Sequence, residues 1–294
     1  MNENKKKSGF VSIIGKPNAG KSTLLNSIVG EKISAVSKKP QTTRKNQKII
    51  YTDTRGQIVF VDTPGENKIK NKLDEFMFSS IKESFKGIDL ILLIVDINST
   101  QDYNNIVKLL KNTIVNIFLV LNKIDTQNEK EVKIDPIINT LTIQKKFKIS
   151  ALKKDGIKEL IDSIFEYLPF GEYYYPIDDI TDFPLKKIVA EKIRQQALYK
   201  LDKEIPHGIA VLIEKMKKDK NNCWQIEAVI YCEKESHKKI IIGKNAQTIK
   251  SIGIGARIDI EKFLNEKVNL KTFVSIKKDW RGESILLANF GYKN

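Results

Sequence analysis

Cysteine, histidine and tryptophan are scarce in this 294-residue chain, with two of each. Cys223 and Cys232 lie nine residues apart on one strand-like run. There is no C-x-x-C and no histidine cluster beside them, so the sequence supplies neither a disulfide framework nor a zinc-type ligand set, and a reducing compartment is expected. Long apolar runs are missing too. None reaches the ~18 residues of a membrane span, and Lys5-Lys6-Lys7 is not followed by the apolar segment of a signal peptide; a cytoplasmic protein is expected. Eight prolines and fifteen glycines against 41% hydrophobic residues exclude a disordered chain. Acidic charge is in deficit, 36 Asp+Glu against 51 Lys+Arg, which leaves a net charge of +15. Such a balance suits a polyanionic partner. The excess is spread along the chain, however: residues 1–170 hold 28 basic and 19 acidic residues, and residues 171–294 hold 23 and 17. Charge alone therefore locates no binding face.

Motifs are more specific. Gly15-Lys16-Pro17-Asn18-Ala19-Gly20-Lys21-Ser22 matches G-x-x-x-x-G-K-[ST]. It lies between the apolar run Phe10 to Ile14 and a helix-like stretch opening at Thr23, the strand-loop-helix context such a loop requires. Its glycines let backbone N–H groups face phosphate oxygens at a helix N-terminus. Gly15 through Thr23 are thus candidate nucleotide contacts, with Lys21 reaching the β/γ-phosphates and Ser22 a ligand of Mg²⁺. A second apolar run, Val115 to Leu121, leads into Asn122-Lys123-Ile124-Asp125, which looks like the N-K-x-D element of guanine-nucleotide proteins. A carboxylate at Asp125 accepts from N1–H and the N2 amine of guanine, donors that adenine lacks on that edge. GTP is favoured over ATP on this ground. Gln57 to Val61 reads as a strand ending in Asp62-Thr63-Pro64-Gly65. This resembles the D-x-x-G switch, with Asp62 at Mg²⁺ and the Gly65 N–H at the γ-phosphate. In the polar stretch Gln41-Thr42-Thr43-Arg44, Thr43 is the favoured third Mg²⁺ ligand. Ser150-Ala151-Leu152 falls where a short loop backs the guanine O6.

Organisation supports the motifs. Residues 9–168 alternate apolar strands with helical patterns, and Asp89 leads into a continuous apolar run, Leu90 to Val95, of the kind buried on both faces of a sheet. The alternation predicts a doubly wound, mostly parallel α/β sheet with nucleotide at the carboxyl ends of its strands. A GTPase domain over 1–169, a linker over 170–185 and a second domain over 186–294 are expected. The three tyrosines Tyr173 to Tyr175 imply a linker packed on a surface. Beyond it, Val189, Ile193, Ala197 and Leu201 recur at helical spacing, two alternating strands flank Lys218 to Asn222, and a helical segment and a last strand follow, a small α+β pattern.

With these elements in this order, the chain resembles the Era family of bacterial ribosome-assembly GTPases over nearly its whole length. Further marks are Asp179-Ile180-Thr181-Asp182, Glu204-Ile205-Pro206, Ile252-Gly253-Ile254 and Gly291-Tyr292. The second domain is similar to a bacterial-type (type II) KH domain, in which a G-x-x-G loop clamps single-stranded RNA. The resemblance implies a monomeric GTPase that assembles the small (30S) ribosomal subunit, exchanges GTP and GDP, and binds the 3′ end of 16S rRNA. Lys238, Lys239, Ile242, Gly243, Lys244, Asn245 and Ala246 are its RNA-contact candidates. It also implies Mg²⁺, catalysis by Lys21 and the Gly65 N–H, and K⁺ near Asn18. A regulatory switch associated peripherally with the inner membrane through anionic lipid is the alternative.

Two positions depart from the pattern. The second glycine of G-x-x-G is Ala246, which resists positive φ; if the loop requires it there, RNA binding is expected to weaken. After D-x-x-G, where Ras-like enzymes place a water-orienting glutamine and the Era family an apolar residue, stands Glu66. Its charge would oppose a γ-phosphate, so Glu66 is expected to turn away and not to act as the base.

Overall fold

In a computed structural model of the chain, residues 5–36, 39, 42–126 and 134–292 are described, and they form two compact units. The first comprises residues 1–34, 43–69 and 77–182. It is built on a six-stranded sheet in the order β2-β3-β1-β4-β5-β6. The strands are β1 (Lys7–Gly15), β2 (Gln47–Asp53), β3 (Gly56–Asp62), β4 (Leu90–Asp96), β5 (Asn116–Asn122) and β6 (Lys145–Ile149). Only β2 runs antiparallel to its neighbour. Helices α1 (Lys21–Val29), α2 (Lys72–Glu83), α3 (Asn104–Leu110) and α4 (Ile157–Tyr167) link the strands. The central strands are apolar on both faces because both are covered: every residue of β3 and Leu90 to Val95 of β4 are buried. In α4, Ile157, Leu160, Ile161, Ile164 and Phe165 are buried while Lys158 and Glu159 face solvent, the one-sided stripe of a helix laid on a sheet. Strand order reverses at β1, which lies between β3 and β4, and this switch point opens the crevice that nucleotide sites use.

The expected linker is largely part of this first unit, which extends through residue 182. The buried side chain of Gln57 accepts from the N–H groups of Tyr174 and Tyr175 at 2.9 and 3.0 Å and donates to the Tyr175 carbonyl at 3.0 Å. Tyr174 lies 4.7 Å, ring to ring, from Phe10, and the Ile50 N–H reaches the Ile180 carbonyl at 3.0 Å. The segment is a strap tied down by nonlocal hydrogen bonds, and the boundary falls between residues 182 and 183.

The second unit comprises residues 35–42, 70–76 and 183–294. Helix α5 (Leu185–Lys200) precedes β7 (Ala210–Lys218) and β8 (Trp224–Cys232), an antiparallel pair. Next come α6 (Glu235–Ile242), α7 (Gln247–Leu264), β9 (Val268–Ile276), parallel to β8, and α8 (Ser284–Asn289). Val189, Ile193, Ala197 and Leu201, the residues at helical spacing, are buried against Ile226, Ala228 and Ile230 of β8 and Ile252, Ala256 and Ile260 of α7. Periodicity gave one helical segment between β8 and β9; the structure divides it at residues 243–246.

Residues 35–42 and 70–76 lie apart in sequence from the rest of this unit. The Val36 carbonyl accepts from Gln195 Nε2 at 2.7 Å and from the Tyr199 hydroxyl, and the Thr42 carbonyl accepts from the buried guanidinium of Arg194. The Leu73 N–H donates to the Arg281 carbonyl at 3.1 Å, and the Phe76 ring lies 6.0 Å from that of Tyr292. No sequence signal pointed to these contacts.

Candidate functional site

The phosphate loop turns from the end of β1 into α1. Gly20 sits at φ 99°, and a Cβ there would come within 2.1 Å of Asn122 Nδ2, so glycine is required by both backbone angle and space. Lys21 is buried and donates to the carbonyls of Gly15 and Lys16, each at 3.1 Å. Burial lowers its pKa to about 8, with the Asp62 carboxylate opposing the shift. A polyanion in the loop would give this ammonium the partner that burial has taken from it.

The base-recognition elements brace the same loop. Asn122 donates to the Ala19 carbonyl at 2.8 Å and accepts from the Ala151 N–H at 3.0 Å. Ser27 of α1 donates to the Ala151 carbonyl at 2.5 Å. Ser150 Oγ donates to Asp125 and accepts from the Lys153 N–H at 3.0 Å. Lys123, at φ 72°, pairs with Asp96 at 2.6 Å, and Leu152 is 71% exposed. N-K-x-D and residues 150–152 are thus brought together with Gly15 to Thr23. In this arrangement the Ala151 N–H is engaged by Asn122 rather than directed at a base.

Three oxygens expected at a cation converge. Ser22 Oγ lies 3.2 Å from Asp62 Oδ2 and 3.1 Å from Thr43 Oγ1, and Thr43 Oγ1 lies 3.3 Å from Asp62 Oδ2. Asp62 is fully buried, its Oδ1 has no hydrogen-bond partner, and burial raises its pKa against the pull of Lys21. A buried carboxylate oxygen without a partner, beside two hydroxyls, fits a hard divalent cation such as Mg²⁺, which takes few protein oxygens and completes its shell with water and phosphate. Gln41 lies outside the described residues. Sequence reasoning missed Thr63, whose hydroxyl donates to the Ile13 carbonyl at 2.7 Å and ties the D-x-x-G loop to β1. The sequence offered only its place as an unspecified position inside Asp62-Thr63-Pro64-Gly65. Gly65 is buried beside Pro17, and Asn18 stands at φ 63°. Glu66 accepts from Lys16 and from Asn105 Nδ2.

In the second unit, the loop between α6 and α7 is strongly left-handed. Gly243 has φ 73° and ψ 171°, and a Cβ on it would meet Thr248 Oγ1 at 2.2 Å. Asn245 and Ala246 follow at φ 49° and 59°, so the loop does require positive φ at Ala246. Lys239, Lys244 and Asn245 are exposed, whereas Lys238, Ile242 and Ala246 are half-buried.

A phosphate loop braced by N-K-x-D, a D-x-x-G strand and a separate α+β unit with a helix-loop-helix clamp define a P-loop GTPase followed by a KH domain. Comparison with known proteins agrees. A family model described as a 50S ribosome-binding GTPase matches residues 10–123, and a KH-domain model matches residues 204–281. The GTPase Era of Clostridium kluyveri is 49% identical over 292 residues, spanning 98% of this chain and 99% of that protein. That of Carboxydothermus hydrogenoformans is 45% identical over 291 residues, spanning 97% and 98%. Among solved structures, an Aquifex aeolicus Era variant bound to GDP and AlF₄⁻ superposes with a TM-score of 0.92 at 36% identity. Era in complex with MgGDPNP and nucleotides 1506–1542 of 16S ribosomal RNA superposes with a TM-score of 0.89 at 35% identity. Both superpositions span 98% of this chain and all of the other. The chain belongs to the Era family of GTPases.

Proposed function

We propose that this protein is a GTP-controlled assembly factor for the small ribosomal subunit, working in the cytoplasm and binding the single-stranded 3′ end of 16S rRNA through its KH domain. The observation that carries this reading is full-length similarity to a protein solved with MgGDPNP and 16S rRNA nucleotides, in a chain that keeps both the phosphate loop and the left-handed helix-loop-helix clamp.

In the proposed reaction, water attacks the γ-phosphorus of GTP, and GDP leaves with its charge increased. Gly15 to Thr23 wrap the phosphates, while Asp125 reads the guanine edge from a position fixed by Ser150. Lys21 and the Gly65 N–H meet the negative charge that grows on the transferring group, the electrostatic term expected to dominate phosphoryl transfer. Ser22, Thr43 and Asp62 would hold Mg²⁺, which would supply positive charge against the triphosphate. Asn18 is the proposed holder of K⁺.

RNA binding is assigned to Gly243, Lys244 and the flanking Lys238, Lys239, Ile242, Asn245 and Ala246. The test is binding of a 16S 3′-end oligonucleotide and of its scrambled counterpart, at fixed salt, to the intact protein and to Lys244→Glu. Preference for the matched oligonucleotide by about tenfold or more, lost in the variant, supports the reading. Equal binding to both sequences and to anionic vesicles would overturn it in favour of the lipid-facing switch.

A further inference from the structure

Glu66 is 2% exposed beside a loop shaped for phosphate. Burying an isolated carboxylate is costly, and a polyphosphate nearby would repel it. The structure supplies compensation from two directions. One carboxylate oxygen takes the ammonium of Lys16, inside the phosphate loop. The other takes Asn105 Nδ2 at 3.1 Å, on the first turn of α3. The Glu66 N–H lies 3.4 Å from the Gly15 carbonyl. Its neighbour Gly65 packs so closely on Pro17 that a Cβ would come within 2.9 Å of the proline backbone. The Lys16 ammonium also lies 5.9 Å from the ring centre of the buried Tyr103. Phosphate loop, D-x-x-G loop and α3 thus meet at one carboxylate.

From this geometry we propose that Glu66 is a positioning residue for GTP hydrolysis: with Lys16 and Asn105 it latches the D-x-x-G loop onto the phosphate loop, and thereby sets where Gly65 presents its N–H. Each carboxylate oxygen is held by a protein donor, which fixes the carboxylate between the phosphate loop and α3. Lys16 cancels the charge that would otherwise meet the triphosphate. The pair acts as a unit, and its two halves fail separately: Glu66 without Lys16 is a buried anion facing phosphate, and Lys16 without Glu66 is a cation drawn to the phosphates while the D-x-x-G loop is released. Removing both charges leaves an apolar contact of similar bulk, the exchange that buried ion pairs commonly tolerate.

This inference rests on the GTPase reading, and wild-type hydrolysis is its control. The test measures kcat and KM for GTP across a pH series in Glu66→Leu, Lys16→Met and the double variant, with binding of a fluorescent GDP analogue reporting that each is folded. The Glu66→Leu variant is expected to lose about tenfold in kcat, with KM within about threefold. Lys16→Met is expected to lose at least as much. The two losses are expected to be non-additive, the double variant losing no more than the worse single variant, with the pH profile unchanged throughout. A loss above about a hundredfold in Glu66→Leu that Lys16→Met does not rescue, together with a vanished acidic limb in the pH profile, would make Glu66 the base and overturn the latch. Wild-type kcat in Glu66→Leu alone would overturn it equally. Absence of GTP turnover in the wild type would instead refute the GTPase reading.

Discussion

Ala246 shows how one side chain separates folding from binding. Its φ of 59° lies in the left-handed region, where an L-residue other than glycine costs roughly 1–2 kcal/mol. From sequence, the alanine threatened RNA affinity. The structure shows the residue left-handed in the folded loop, so the cost of that backbone angle is carried by folding. Ala246→Gly is therefore expected to stabilise the second unit by about 1 kcal/mol while changing RNA affinity less than about threefold. Both tryptophans, Trp224 and Trp280, belong to this unit, so their fluorescence in a urea titration reads its stability. A gain in RNA affinity above about tenfold would show that the loop rearranges on binding. At this scale the motif residues were legible because their chemistry is local: Gly20, Lys21 and Ser22 occur in one short run. Asn122 was legible as a motif but not as the brace between the Ala19 carbonyl and the Ala151 N–H, because those partners lie far away in sequence.

Elements were read well where periodicity is set by burial. The apolar runs became β1, β3, β4 and β5, and the helical spacing of Val189 to Leu201 became the buried face of α5. Residues 170–185 were read as a linker because proline, tyrosine and acidic residues there follow no period. Among the contacts that order them is Gln57, whose single side-chain amide serves three backbone groups of Tyr174 and Tyr175. No window of local sequence reveals such a contact. Gln57→Leu is expected to leave those groups unpaired and to destabilise the first unit by about 2–4 kcal/mol. Hydrogen exchange at residues 171–182 should rise before exchange elsewhere in that unit. Unchanged protection of the strap would mean that its other ties, the Ile50–Ile180 hydrogen bond and the tilted Tyr174–Phe10 ring contact among them, suffice to hold it.

At the scale of the whole molecule, the division into units falls between Thr42 and Thr43 and again within α2. Thr43 offers its hydroxyl to Asp62 in the first unit, whereas the carbonyl of Thr42, its covalent neighbour, is held by Arg194 in the second. Residues 70–76 likewise belong with the second unit, while the remainder of α2 belongs to the first. If Thr43 takes the proposed place at a cation, the peptide bond to its neighbour Thr42 is the covalent route by which that change would reach α5. Linkage would make such a coupling reciprocal: a ligand of the second unit that favours one position of Thr42 would bias the nucleotide state by the same free energy. The two-domain organisation was legible in sequence, but this allocation was not, because the polar stretch around Thr42 has no pattern until α5 is folded against it.

The most direct test of this coupling is the affinity of a labelled 16S 3′-end oligonucleotide for the protein loaded with a GTP analogue, with GDP and with no nucleotide, at one salt concentration. It is repeated with Gln195→Ala/Tyr199→Phe, which removes both side-chain bonds to the Val36 carbonyl. In the wild type the GTP-analogue state is expected to bind at least about tenfold more tightly than the GDP state, a coupling of ~1.4 kcal/mol, and the ratio is expected to shrink in the double variant. Equal affinity in all three nucleotide states of the wild type would contradict the coupling.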